Sequence, residues 1–184
     1  MTADPRDELV EHLPALRAFA ISLTRNGSTA DDMVQDTVVK AWTNIEKFEP
    51  GTNMRAWLFT ILRNTFYSSR RKAKREVADV DGIFTENMAE KPAHDGHLQM
   101  TDFQTAFAKL PDEQRETLIL VGASGFSYEE AAEMCKVAVG TIKSRANRGR
   151  KRLAELMNLD SDGPVELTDK ATVAVVSNNG NSAF

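Results

Sequence analysis

Apolar residues near the start of the chain recur three or four positions apart: Leu9, Leu13, Leu16, Ala20 and Leu23 trace one face of an α-helix. Pro14 marks a helix start or kink near Leu13, because proline lacks the N–H that an interior turn donates. Asn26-Gly27-Ser28 reads as a turn. Beyond it, a second helix carries Met33, Val34, Val38, Ala41, Trp42 and Ile45 on one side and Asp32, Gln35, Asp36 and Lys40 on the other. Phe48–Asn53 holds Pro50-Gly51 and is expected as a loop. A third helix, starting near Thr52 or Asn53, buries Trp57, Leu58, Ile61 and Leu62 before it enters a run of cations. Trp42 and Trp57 fall in phase with the aliphatic stripes, which predicts core positions for both indoles rather than stacking platforms.

A second apolar block begins with Phe103, Phe107 and Leu110, breaks at Pro111 and resumes over Asp112–Val121. Ser127 with Glu130 is a capping box, in which the hydroxyl takes a first-turn N–H and the carboxylate returns to the cap's own N–H. It predicts a short helix from about Tyr128 to Cys135, a turn over Lys136–Val139, and a longer helix from Gly140 or Thr141 to about Met157. Ile142, Ala146, Gly149, Leu153 and Leu156 form the buried stripe of that last helix. A glycine inside a helix costs about 1 kcal/mol relative to alanine, so Gly149 on the buried side points to a close helix contact. A short helix, a tight turn and a second helix loaded with cations make a helix-turn-helix pattern. No stretch shows sustained period-two alternation, so the fold class is all-α.

Between the two blocks, Lys72–His97 holds Asp79, Asp81, Gly82, Pro92, Asp95 and Gly96 and reads as a flexible linker between two small helical domains. The last 25 residues, Asp160–Phe184, are acidic with a short valine-rich run, and are expected to be largely mobile. A length of 184 residues, 41% hydrophobic and 27% charged, fits such a pair of domains and excludes collagen-like and disordered classes. One cysteine cannot pair within the chain, Met1–Leu9 is acidic where a signal peptide needs cations, and no apolar run approaches a bilayer span. The expectation is a cytoplasmic protein without a membrane partner.

The net charge of −4 hides an uneven distribution. Lys143–Arg152 holds six cations in ten positions and Arg63–Arg75 six in thirteen, with no acid in either. Two such patches suggest two separate contacts with a polyanion. In the last helix, Thr141, Lys143, Ser144, Arg145 and Arg148 lie off the buried stripe and are free to face DNA bases and phosphates. Phe48–Arg75 combines a loop aromatic, asparagines and cations, the equipment of single-strand recognition: stacking, hydrogen bonds to base edges and a cationic track. Catalysis has little support. His12, His94 and His97 have no carboxylate or thiol cluster to complete a metal site, Cys135 reads as a packed thiol, and no glycine-rich phosphate loop occurs. No cofactor is expected.

These residues resemble a known family. Ala30–Trp42 (ADDMVQDTVVKAW), Asn53–Lys72 (NMRAWLFTILRNTFYSSRRK) and Leu110–Leu153 (LPDEQRETLILVGASGFSYEEAAEMCKVAVGTIKSRANRGRKRL) are similar, in that order, to the core-binding, promoter-melting and upstream-element segments of extracytoplasmic-function sigma factors. NTFYSSRRK, ILVGASGFSYEEAAEMC and AVGTIKSR resemble more narrowly the EcfG type, the general stress response sigma factors of alphaproteobacteria. The resemblance implies a sigma region 2 helical bundle over 1–73, a linker over 74–100, a sigma region 4 helix-turn-helix over 101–159 and a tail over 160–184. It implies that Asp32, Gln35, Asp36 and Lys40 dock on the clamp coiled coil of core RNA polymerase. Phe48 and Asn64 match, by their spacing from Trp57, the family's contacts to a flipped base of the downstream promoter element, with Asn53, Arg63, Arg70 and Arg71 on the same single-strand track.

Promoter DNA with a GGAAC-like upstream element is the implied ligand, and a NepR-type anti-sigma factor, released by a PhyR-type response regulator, is the implied control. Two other readings stand beside this one. A sigma-like anti-anti-sigma regulator needs a receiver domain, which Asp160–Phe184 is too short to supply. A one-component helix-turn-helix repressor leaves the Arg63–Arg75 patch without a role.

Overall fold

The computed structural model describes residues 5–79 and 98–158. The expected tail, most of the linker, and His94 and His97 lie outside them. All regular structure among the described residues is helical, and the chain divides into two units, Met1–Pro92 and Ala93–Phe184. No helix among the described residues is long and apolar enough to cross a membrane.

The first unit contains α1 (Pro5–Glu11), α2 (Leu13–Thr24), α3 (Gly27–Thr43) and α4 (Met54–Asp79). Pro14 falls in the first turn of α2, where its missing N–H costs nothing. Asn26-Gly27-Ser28 is not a turn: the Asn26 side chain accepts from Thr29 N–H at 2.8 Å and caps α3, whose first residues are Gly27 and Ser28. Arg17 of α2 grips Asp31 of α3 with both Nε and Nη2 (2.7 and 3.4 Å). Leu16, Phe19, Ala20 and Leu23 of α2, Met33 of α3 and Leu58, Phe59 and Leu62 of α4 are all buried, and Phe19 and Phe59 stack with centroids 4.7 Å apart.

The buried stripe of α3 is Ala30, Met33, Thr37 and Ala41, rotated from the one the sequence suggested. Thr37 can occupy a core position because its hydroxyl donates to Met33 C=O at 2.8 Å and so enters the interior satisfied. That rotation turns Trp42, expected in the core, outward with 53% of its surface exposed. After a 3₁₀ turn at Ile45–Lys47, Glu49-Pro50-Gly51-Thr52 closes a turn with Thr52 N–H on Glu49 C=O (3.1 Å) and Gly51 at φ +89°. Proline followed by a positive-φ glycine is the type II pattern. The Asn53 carboxamide then caps α4 through Ala56 N–H at 3.1 Å. α4 continues past residue 73 because Ser68–Asp79 contains neither proline nor glycine and is rich in Arg, Lys and Ala, all good helix formers.

The second unit contains α5 (Leu98–Ala108), α6 (Asp112–Leu118), α7 (Tyr128–Cys135) and α8 (Val139–Leu156). α6 runs on into a π turn, Ile119–Ala123, which the sequence pattern did not reveal. Ala106, Leu110, Leu118, Ala146 and Leu153 form a core, flanked by Phe103, Phe107, Tyr128, Leu156 and Met157. Gly149 makes the close contact expected of it: a Cβ there would meet Leu118 Cδ1 of α6 at 3.0 Å.

Lys136 ends α7 at φ +55°, a left-handed position that favours glycine. Lys136→Gly is expected to raise stability by roughly 0.5–1 kcal/mol, the relief of left-handed strain less glycine's extra unfolded-state entropy. Urea denaturation followed by circular dichroism checks it, and a lower midpoint in the variant would count against it.

Candidate nucleic-acid and protein interfaces

Asp32, Gln35 and Asp36 lie on the outward side of α3, exposed and without side-chain partners among the described residues. Lys40 is different: its ammonium donates to Thr65 Oγ1 of α4 at 2.9 Å, tying the two helices together. The outward stripe continues at positions i+7 and i+10 from Asp32 with Val39 and Trp42, both exposed, and the Arg6 guanidinium sits 5.1 Å from the Trp42 ring centroid. One helix face therefore carries carboxylates at one end and an apolar anchor at the other. The sequence missed this anchor because it assigned Trp42 to the wrong stripe.

Phe48 does not present its ring to solvent. It is 7% exposed and packs on Trp57, with centroids 5.3 Å apart and planes tilted by 46°. In this conformation an unpaired base cannot stack on it, and the surface of the loop comes instead from Glu49 to Asn53. Asn64 is exposed on α4 and has no partner among the described residues. Arg63 lies over the Tyr67 ring (4.7 Å), Arg70 over Phe66 (5.6 Å), and Arg71 donates to Ser68 Oγ at 3.3 Å. Each of these contacts links neighbouring turns of α4, so the cations are held along the helix rather than free to sweep. Arg55 repeats the pattern over Phe59 (5.4 Å), and burial lowers the pKa of its guanidinium below the ordinary value. Asn53 and Arg70 are about 25 Å apart along the helix axis, the length of a track rather than of a pocket.

In the second unit the capping box forms as the sequence requires: Ser127 N–H donates to Glu130 Oε2 at 2.8 Å and Glu130 N–H to Ser127 Oγ at 3.1 Å. α7 and α8 form a helix-turn-helix, with Ile142, Ala146, Gly149 and Leu153 of α8 buried. Lys143 and Arg150 flank the side facing α7, where Lys143 Nζ is 6.0 Å from the Tyr128 ring centroid and Arg150 reaches Tyr128 Oη at 3.4 Å. Arg145 flanks the opposite side, facing α6, where Nη2 pairs with Glu113 Oε1 at 3.4 Å. The outward face is Gly140, Lys143, Ser144, Asn147, Arg148 and Lys151, with Thr141 partly buried beside it. Arg148 Nη2 donates to Ser144 Oγ at 2.7 Å, which orients both side chains outward. Sequence reasoning thus placed four of the five chosen residues on or beside the exposed face and missed Asn147 and Lys151 on it.

No group of His, Cys, Asp and Glu among the described residues could hold a metal ion. The sequence matches Sigma-70 region 2 over residues 9–76 and Sigma-70, region 4 over residues 100–153. It is 50% identical over 183 residues to the ECF RNA polymerase sigma factor EcfG of Rhodopseudomonas palustris (strain TIE-1), covering 98% of this chain and 99% of that protein. It is 56% identical to the sigma factor RpoE of Bartonella quintana, solved in complex with the anti-sigma factor NepR, with a TM-score of 0.75 over 84% of this chain and 96% of that one. The anti-anti-sigma factor PhyR of Bartonella quintana, solved with NepR, shares the fold alone: 17% identity and a TM-score of 0.53 over 81% of this chain and 50% of that one. A bundle bearing a polar α3 face, a cationic α4 and a separate helix-turn-helix, matched in both parts, places the chain among the extracytoplasmic-function RNA polymerase sigma factors, of the EcfG type.

Proposed function

We propose that this sigma factor directs core RNA polymerase to general stress response promoters in the cytoplasm. The observation that carries the reading is 50% identity to an EcfG protein along 98% of the chain. The outward face of α3 (Asp32, Gln35, Asp36, Val39 and Trp42) docks on the clamp coiled coil of the polymerase, while Lys40 braces α3 against α4. α4 carries Asn53, Arg63, Asn64, Arg70 and Arg71 along the displaced strand of the downstream element. α8 enters the major groove of the upstream element with Thr141, Lys143, Ser144, Asn147 and Arg148 at its leading end. The chain performs no catalysis, since the polymerase makes the phosphodiester bond.

The test is transcription in vitro with purified core polymerase. Transcripts should appear from templates with a GGAAC-like upstream element and depend on adding this chain. Initiation by core polymerase with no dependence on the chain would overturn the reading.

Arg148→Ala should reduce the slope of log K against log salt for upstream duplex by about 0.9, the share of one phosphate contact. An unchanged slope would remove this face of α8 from the DNA interface.

A NepR-type anti-sigma factor, freed in turn by a PhyR-type regulator, controls access to both units. The complex of RpoE with NepR, at 56% identity to this chain, supports that assignment. Because such a partner and the polymerase would compete for overlapping surfaces, adding it to preformed holoenzyme should release the sigma factor. A stable and active ternary complex would rule out occlusion.

A further inference from the structure

We infer that Glu113 is an intramolecular stand-in for a DNA phosphate, which occupies Arg145 and lowers the sequence-independent affinity of the recognition helix. The inference rests on the reading of α8 as the DNA-contacting helix.

Arg145 is one of six cations between Lys143 and Arg152, and among the described residues it alone of the six is seen paired with a side chain of α6. Its Nη2 lies 3.4 Å from Glu113 Oε1, and the side chain is 19% exposed against 62% for the carboxylate. Nη1 is buried with no acceptor among the described residues, so the guanidinium is inserted in the seam between α6 and α8 with the Glu113 carboxylate as its charged partner there. Two features hold Glu113 where it is. It sits in the first turn of α6, where the helix dipole favours a carboxylate, and α6 is fixed against α8 by the Leu118–Gly149 contact.

The other acid in that turn is already committed, because Asp112 Oδ1 takes Arg115 Nη2 at 2.6 Å. Glu113 is therefore the carboxylate positioned to compete with an incoming phosphate. A carboxylate beside an arginine neutralises part of the charge that a phosphate would otherwise meet. Approach of DNA must either displace Glu113 from Arg145 or bring a phosphate beside its negative charge, and both weaken binding. Non-specific binding rests almost entirely on phosphate contacts, whereas specific binding adds base contacts. Occupying one cation therefore costs random DNA a larger share of its binding than promoter DNA.

Because Glu113 is mostly exposed, the pair is held weakly and the effect is modest: E113Q should tighten binding to a random-sequence duplex roughly two- to five-fold. The slope of log K against log salt should steepen by about 0.9, as one more phosphate is neutralised. The experiment uses the full chain and labelled duplexes, one random and one with a GGAAC-like element, in anisotropy titrations from low to moderate salt. Wild type, E113Q, R145A and E113Q/R145A are compared. The gain from E113Q should disappear in the R145A background.

An equal gain in both backgrounds would reduce Glu113 to a general repulsive charge and overturn the inference. Weaker or unchanged binding by E113Q would overturn it too, the weaker case indicating that Glu113 positions Arg145 for a productive contact. If wild type binds neither duplex in a salt-dependent way, the DNA-contact reading of α8 fails and this inference with it. Salt-dependent wild-type binding with no response to E113Q sinks the inference alone.

Discussion

Arg115→Ala is expected to cost the second unit about 3 kcal/mol of stability, the low end for breaking a buried charge pair. Arg115 is 1% exposed, yet its donors are occupied: Nη1 reaches Leu110 C=O at 2.9 Å and Ala108 C=O at 3.5 Å, and Nη2 reaches Asp112 Oδ1 at 2.6 Å. Ala108 is the last residue of α5, so the guanidinium collects carbonyls that the helix end leaves without intrahelical partners and places positive charge at the negative end of its dipole. Truncation strands those carbonyls in the interior and leaves a cavity. Asp112 is partly exposed and can recover hydration, which keeps the loss from being larger.

A total stability of 5–15 kcal/mol is typical of a domain, so a loss of about 3 kcal/mol is a large fraction. Both tryptophans, Trp42 and Trp57, belong to the first unit. In a urea titration of Arg115→Ala, circular dichroism should therefore show an early loss of helix that tryptophan fluorescence does not follow. Coincident transitions at the wild-type midpoint would refute the role assigned to Arg115. Arg115→Lys should fall between the two, since lysine keeps the charge but not the planar fork that serves several acceptors.

The helix-turn-helix was legible because its determinants are local. The Ser127–Glu130 box fixes the start of α7 through two hydrogen bonds spanning three residues, and the spacing of Ile142, Ala146, Gly149 and Leu153 fixes the buried side of α8 without knowledge of what covers it. α3 was harder to read. Its aliphatic residues are spread around the helix, and the choice of stripe depends on Thr37, whose hydroxyl can be buried only because Met33 C=O accepts it. A reading that counts threonine as polar turns the helix the wrong way and puts Trp42 inside. The engagement of Phe48 and Arg145 was hidden for a tertiary reason: the partners that hold them, Trp57 and Glu113, are nine and 32 residues distant in sequence. Composition identifies a cation in a basic run, but whether it is already paired depends on a carboxylate brought up by another helix.

Trp42→Ala should weaken binding to core polymerase at least roughly 30-fold, the effect of losing a hot-spot residue worth about 2 kcal/mol. The expectation follows from the mixed character of the α3 face. Asp32, Gln35 and Asp36 are exposed; if this face docks as proposed, exposed polar and charged groups of this kind steer association and fix register, so Asp36→Ala should act mainly on the association rate and its dependence on salt. Trp42 is the large apolar side chain at the far end of that face, and covering it would remove indole surface now facing water. Arg6, stacked over the ring, limits its rotamers before a partner arrives, so less entropy remains to be lost on docking. Since more than half of Trp42 is already exposed in the free protein, its truncation should change the stability of the first unit little. The diagnostic result is therefore a separation between the two measurements: polymerase affinity falls steeply while the thermal midpoint stays near wild type. If the midpoint falls with the affinity, Trp42 is a packing residue after all. If neither moves, the polymerase contact lies on another face of the bundle.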